Sequence, residues 1–250
     1  MTKLRTEPGT AVEDVLQRAS AYALLARALA YPDESTFAAL KETAAMAADW
    51  LQGTPLEPLV KQALAAERKS LEEAHVRSFT LSSSPDCPTF ETAFLSTDAG
   101  QQTHRMADIA GFYRAFGVDP ASPGYRPDDL AVELEFMGYL CRKELFARDR
   151  LGAPRVKQTL RAERMFLREH LGRWALPLGR RIAVHAMAEP FYFAAGEALA
   201  DWLETECERL GTGALDFVDM PAMAWEAPGS DGDNMDDSNE LISFDEIPVV

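Results

Sequence analysis

The chain has 250 residues, 47% of them hydrophobic, and a formal net charge of −15. That length allows one large domain or two small ones with a real core. The acidity argues against a nucleic-acid binder, which needs a basic footprint.

The acid is unevenly spread. Residues 211–250 contain ten Asp or Glu and no Lys or Arg, so two-thirds of the net charge sits in that stretch. Cys87, Cys141 and Cys207 are far apart and odd in number, which fits neither a disulfide framework nor a CxxC metal or redox motif. Reduced thiols in the cytosol are the expectation. The stretch MTKLRTEPGTAVEDV lacks the apolar core of a signal peptide, and nowhere do ~18 apolar residues run together as a bilayer span requires. A soluble, cytoplasmic protein is expected.

In chain order, Thr10 to Glu13 form a capping box that starts a helix through Val15, Tyr22 and Ala23, ending at Tyr31-Pro32. A second helix is expected from Ser35 or Thr36 to Leu51, stopped by Gly53, and a third from Leu56 to Phe79. The punctuation SSSPDCP marks a loop at Ser82–Pro88, and Thr89–Phe94 reads as a short helix or turn. Gln101–Phe116 is helical by its apolar side of Met106, Ile109, Tyr113 and Phe116.

The stretch from Arg126 to Phe146 is the one around which the rest is organised. Pro127 suits a first helical turn, and Asp128 and Asp129 suit the positive end of the dipole. Leu130, Leu134, Met137, Cys141 and Leu145 then recur at three- and four-residue steps, with Phe136, Leu140 and Phe146 widening the stripe. Three more helices are expected, near Pro154–Leu171, Leu178–Ala188 and Phe191–Leu210. No period-2 strand is found, so the expected fold is all-α, a single-domain bundle of about nine or ten helices over 1–210. Residues 211–250 read as an acidic, disordered tail with an apolar end, LISFDEIPVV, which either stays loose or docks on the body.

Candidate chemistry is sparse. His75, His104, His170 and His185 show no HxxxH or HExxH spacing, and no GxSxG, GxxxxGK[ST] or GxGxxG occurs. Ser82–Ser84 lack a motif that would place a base beside them. Glu133 and Glu135 are two apart and point in different directions on a helix, a poor acid/base pair. Each reads as a solvated or first-turn acid, with Glu135 the better candidate for a half-buried, paired one. No catalytic residue, metal or cofactor is expected. A buried, convergent polar cluster with shifted pKa values would instead favour an enzyme.

Four stretches carry a resemblance. PDDLAVELEFMGYL resembles the D-H-[IL]-x-x-E-L-x-F-M-x-x-L of the TorD/DmsD/NarJ family of redox-enzyme maturation chaperones. Cys87-Pro88-Thr89-Phe90-Glu91-Thr92-Ala93-Phe94 is similar to that family's P-P-Y-E-S-x-Y, Ala74–Phe79 to its E-Y-x-R-L-F, and Met106–Gly117 to its helix before the hinge. Asp129 replaces the usual His, Ala74 and His75 replace Glu and Tyr, and Ser78 replaces Leu. The resemblance implies an all-helical cytoplasmic chaperone for the catalytic subunit of a dimethyl-sulfoxide-reductase-type molybdoenzyme, recognised in part through a twin-arginine signal peptide. It also implies that the Asp128-Asp129 region takes part in that recognition, the second carboxylate favouring a basic partner.

An apolar groove rimmed by carboxylates suits a peptide with a basic end and an apolar helix. Phe79, Phe90, Phe112, Tyr113, Phe136 and Met137 are the groove-or-core candidates, with Pro88 as part of the wall. Asp108, Asp128, Asp129 and Glu133 are the acidic candidates, and Arg77 and Glu91 are expected to pair and hold the loop. The alternatives are a helical enzyme with a small-molecule pocket or a helical scaffold of an unrelated assembly. Both a monomer and a domain-swapped dimer remain compatible with the sequence.

Overall fold

The computed structural model describes residues 11–79, 87–95, 98–118 and 126–212. Thr10, the Ser82–Ser84 run and the LISFDEIPVV segment, each given a reading above, lie outside the described residues. The described residues form ten helices and no strand: α1 (Ala11–Leu29), α2 (Glu34–Ala47), α3 (Glu57–Ala65), α4 (Arg68–Phe79), α5 (Glu91–Phe94), α6 (Ala99–Ala115), α7 (Leu130–Phe146), α8 (Ala153–Phe166), α9 (Gly172–His185) and α10 (Pro190–Leu210). One contiguous apolar core joins residues from all of these except the α5 turn, whose Phe94 packs against it. The all-α expectation holds.

The boundaries differ in instructive places. Asp33, not Ser35 or Thr36, caps α2, its carboxylate accepting from Thr36 N at 2.7 Å. The single helix expected over Leu56–Phe79 is two, parted at extended Ala66. An unbroken helix would carry Glu67 and Ser70 onto the buried face of Leu59, Val60 and Ala63. The break leaves Glu67 and Ser70 exposed and lets Leu71 face inward.

Pro127 is not in the first turn of α7. The helix starts at Leu130 with Asp129 as its N-cap, the carboxylate accepting from Ala131 N at 2.9 Å. On one flank α7 packs against α1, and on another against α8. Gly138 brings α1 close, since a Cβ there would sit 3.4 Å from Tyr22 Cβ.

Helical residues run without a gap from Ala153 to His185, a π-helical turn (Leu167–Leu171) joining α8 to α9. The expected stop at Leu171 and restart at Leu178 therefore do not occur, and Pro177 is interior. Leu167, Leu171, Trp174 and Leu178, all fully buried, keep one apolar stripe through the join. The hairpin of α9 and α10 then closes very tightly. A Cβ on Gly196 would fall 2.6 Å from Ala183 N, and one on Gly179 2.9 Å from Gly196 O.

Candidate partner-binding site

The Pro88–Phe94 segment and the start of α7, two stretches marked out in the sequence, are bound to each other. Leu130 N donates to Thr89 O and Glu91 N to Asp128 O, both at 2.9 Å, around an antiparallel bridge between Phe90 and Asp129. Asp128 is fully buried in this clasp, accepting from Thr92 N at 3.2 Å and Thr92 Oγ1 at 2.6 Å. Arg126 completes it with a forked contact to the same carboxylate, Nε at 2.9 Å and Nη2 at 2.8 Å. Its guanidinium lies 4.4 Å from the centre of the Phe90 ring. Burial lifts the Asp128 carboxyl, but the hydrogen bonds from Arg126 and Thr92 outweigh it and hold the group below its usual range. Asp129, half-buried and in no ion pair among the described residues, is pushed up to about 6 by burial.

Beneath the clasp lies a buried polar cluster. Glu91, fully enclosed, accepts from Arg105 at 2.7 Å and faces His170 Nδ1 at 3.4 Å. On its other side His170 Nε2 stands 3.6 Å from Asp108. Both separations are long for hydrogen bonds. Burial raises Glu91, yet His170 and Arg105 bring it below normal. Asp108 is raised by burial more than His170 lowers it. Glu133 accepts from Trp174 Nε1 at 3.1 Å and is raised well above its usual value, first by burial and then by Glu91. A dry site disfavours the charged form of a carboxyl in this way.

Several expectations need correcting. Asp128 and Glu133 face inward and are engaged within the chain, so they form no exposed acidic rim. Half-buried Asp129 and Asp108 are the acids of the site that reach solvent. Arg77 and Glu91 do not pair: Arg77 reaches Glu189 at 2.6 Å, and Glu91 takes Arg105. Arg77 and Phe79 make their contacts elsewhere, the latter against His75 and Tyr192. Phe112, Tyr113, Phe136 and Met137 are core residues. Tyr113 also donates its hydroxyl to Pro127 O at 2.7 Å, tying α6 to the clasp. Phe90 and Pro88 remain half-exposed. Glu135 is half-buried and pairs with Arg27 at 2.6 Å, as expected.

Sequence reasoning gave no role to Arg105, Arg126 or Trp174, and treated His170 as a bystander. It also missed a second cluster entirely. Arg18, only 1% exposed, joins α1 to Glu206 (Nε at 3.0 Å to both oxygens), Glu144 (3.1 Å) and Glu163 (2.5 Å) on three other helices. Tyr22, Arg148 and Arg209 close the network. Burial lifts Glu163 to about 7 despite Arg18, whereas Arg18 and Arg209 together hold Glu206 below its usual range against the same burial.

Two buried polar clusters with shifted pKa values therefore exist, which is the feature expected of an enzyme. The buried acids of the Arg18 network face three arginines, of which Arg18 is buried and Arg148 and Arg209 are partly exposed. In the other cluster Arg105 and Asp108 alone reach the surface. Among the described residues no group of His, Cys, Asp and Glu is arranged to hold a metal, and no helix is long and apolar enough to cross a membrane. Cys87, Cys141 and Cys207 are unbridged and buried.

The pattern of the family described as nitrate reductase delta subunit matches residues 28–178. The chain belongs to the nitrate reductase delta subunit family. That match takes in the whole clasp, from Pro88 to Glu133, and accords with the resemblance to the TorD/DmsD/NarJ chaperones. Three relatives accompany the delta-subunit match. The selenate reductase assembly chaperone protein of Thauera selenatis is 28% identical over 195 residues, 77% of this chain and 89% of that one. The chlorate reductase assembly chaperone protein of Ideonella dechloratans is 27% identical over 210 residues, 81% and 94% of the two chains. The perchlorate reductase assembly chaperone protein of Dechloromonas aromatica (strain RCB) is 33% identical over 114 residues, 44% of this chain and half the length of that relative.

Proposed function

We propose that this protein is a cytoplasmic assembly chaperone. It binds the apo catalytic subunit of a dimethyl-sulfoxide-reductase-type molybdoenzyme, assists cofactor insertion and performs no chemistry of its own. The observation that carries the reading is the match, over 77% and 81% of this chain, to proteins named as assembly chaperones of selenate and chlorate reductase. Such a role requires a recognition surface and a rigid frame behind it, and both buried clusters suit the frame. The test is deletion of the gene in its host. The reading expects the client reductase to accumulate without cofactor and without activity, and wild-type gene in trans to restore both. Unchanged cofactor content in the deletion strain would sink it.

The finer part of the proposal is that recognition involves the arginines of a twin-arginine signal at the clasp. Support comes from Arg126, whose guanidinium is forked on Asp128 and stacked on Phe90 while remaining 41% exposed. This is the chemistry a partner arginine would use, supplied here by the chain itself. Arg126→Ala should therefore tighten binding of a twin-arginine peptide in calorimetry. Phe90→Ala and Asp129→Asn should weaken it. Peptide affinity indifferent to all three would remove the signal-peptide part and leave the assembly role standing.

A further inference from the structure

In a chain of net charge −15, one stretch has the opposite sign. Residues 148–181 hold ten of the 25 Lys and Arg and only three acids. Those three acids are committed: Asp149 pairs with Arg150, Glu169 with Arg168, and Glu163 points inward to Arg18. The remaining cations are not scattered. Lys157, Arg161, Arg164 and Arg168 recur at steps of four, three and four, which puts them in one line along a helix. The buried side of α8, Thr159, Ala162, Glu163 and Phe166, lies on the opposite face by the same geometry. All four cations of the line are exposed. Lys157, Arg161 and Arg164 form no ion pair among the described residues.

The place where the chain leaves the bundle adds a second observation. Gly211 ends α10 in the left-handed conformation that stops a helix, with its N–H on Glu208 O. In the last turn of α10, Arg209 reaches Glu163 of α8 at 3.4 Å and Glu206 shares Arg18 with it. The chain thus departs beside the last turn of α8. The stretch that follows holds ten acids and no base, and its first two acids are Asp216 and Asp219. Five extended residues reach about 17 Å at ~3.4 Å each, enough to round a helix roughly 10–12 Å wide.

We infer that the acidic C-terminal segment, residues 213–250, folds back across α8 and occupies the basic line Lys157–Arg161–Arg164–Arg168 of its own chain. The tether sets the local carboxylate concentration at about the millimolar level, so weak individual pairs suffice. The contact is electrostatic and between exposed groups, hence released by salt. The inference is independent of the clasp and of the identity of any client.

Zero-length carbodiimide coupling of the full chain tests this, because Lys157 is the only lysine after Lys143. Carboxylates of residues 216–246 should couple chiefly to Lys157 within one chain. The yield should fall severalfold in 1 M NaCl, where the screening length is about 3 Å, and in the double variant Arg161→Glu/Arg164→Glu, which keeps the reporter lysine. Those two arginines are exposed, so the variant should melt with the wild type. The salt arm uses wild-type protein and needs no variant to fold. Coupling spread evenly over Lys41, Lys61, Lys69, Lys143 and Lys157, or unmoved by salt, would overturn the inference. So would coupling between ¹⁴N and ¹⁵N copies in a mixed sample, which would give the basic face to a second molecule.

Discussion

Replacing Arg18 with Leu removes the one cation shared by Glu144, Glu163 and Glu206, all of them at most 1% exposed. Arg148 still serves Glu144 and Arg209 serves Glu206, but Glu163 keeps only a 3.4 Å contact. Breaking a buried ion pair from one side costs about 3–5 kcal/mol, because the remaining charge is left dry and unpaired. For a protein of this size that is a fall in Tm of roughly 6–20 °C. The pH dependence follows from two signs. Burial already raises Glu163 to about 7, so its ionised form weakens the fold as pH rises through that value, and loss of Arg18 raises it further. Glu206 is lowered by Arg18 and Arg209, a stabilisation present above the unfolded pKa and lost as pH falls, and the variant forfeits part of it. The Glu163 effect makes the deficit larger near pH 8 than near pH 5, while the Glu206 part is nearly the same at both, since both lie above its unfolded pKa. Urea titrations of wild type and variant at the two pH values measure it. Adding Glu163→Leu to Arg18→Leu should recover part of the loss, since the orphaned acid goes with its partner. A deficit under 1 kcal/mol, or one identical at both pH values, would refute the reasoning.

Other expectations are as direct. Gly196→Ala drives a methyl into the backbone of α9, 2.6 Å from Ala183 N, and should cost at least ~1–3 kcal/mol by chemical denaturation. The control Gly111→Ala, where a Cβ meets nothing within 4 Å, should be neutral or stabilising. Asp129 is raised to about 6 by burial, so its charge disfavours the fold as pH rises through that value. Asp129→Asn, which keeps the cap, should match wild type at pH 4 and exceed it in Tm at pH 8. Glu91→Ala releases Arg105 and His170, and should deprotect the amides of α5 and the first turn of α7 in hydrogen exchange before the rest of the bundle. Equal protection in variant and wild type would mean that the backbone bridge alone holds the clasp.

Much of this architecture was legible because apolar periodicity and local stop signals report on faces that must be buried. The α7 stripe and the α10 span are of that kind, whereas α2 ends at Ala47, ahead of the expected stop at Gly53. Where the reading failed, tertiary packing had overridden a local signal. Pro177 looked like a boundary, but a buried stripe from Leu167 to Leu178 carries the helix through it. Ala66 looked helical, but continuing would have buried Glu67. Charged residues were the larger blind spot. Arg18 shares a helical face with Val15 and Tyr22, Glu144 with Cys141 and Leu140, and Glu206 with Leu203 and Leu210. A charge on an apolar stripe is itself the signal of a buried pair, though its partners lie 126 to 188 residues away. The same reasoning would have turned Glu133 inward. The meeting of Pro88–Phe94 with Asp128–Asp129 had no such local sign, since it depends on backbone bonds across a 36-residue separation.

The most direct measurement is recovery of the tagged protein from its native host during anaerobic growth, with bound proteins identified by mass spectrometry and their molybdenum and pterin assayed. An assembly chaperone should bring down one molybdopterin-type catalytic subunit that lacks cofactor, and release it once cofactor is supplied. Recovery of fully loaded reductase in the same amount as the apo form, or of no reductase subunit at all, would contradict the account.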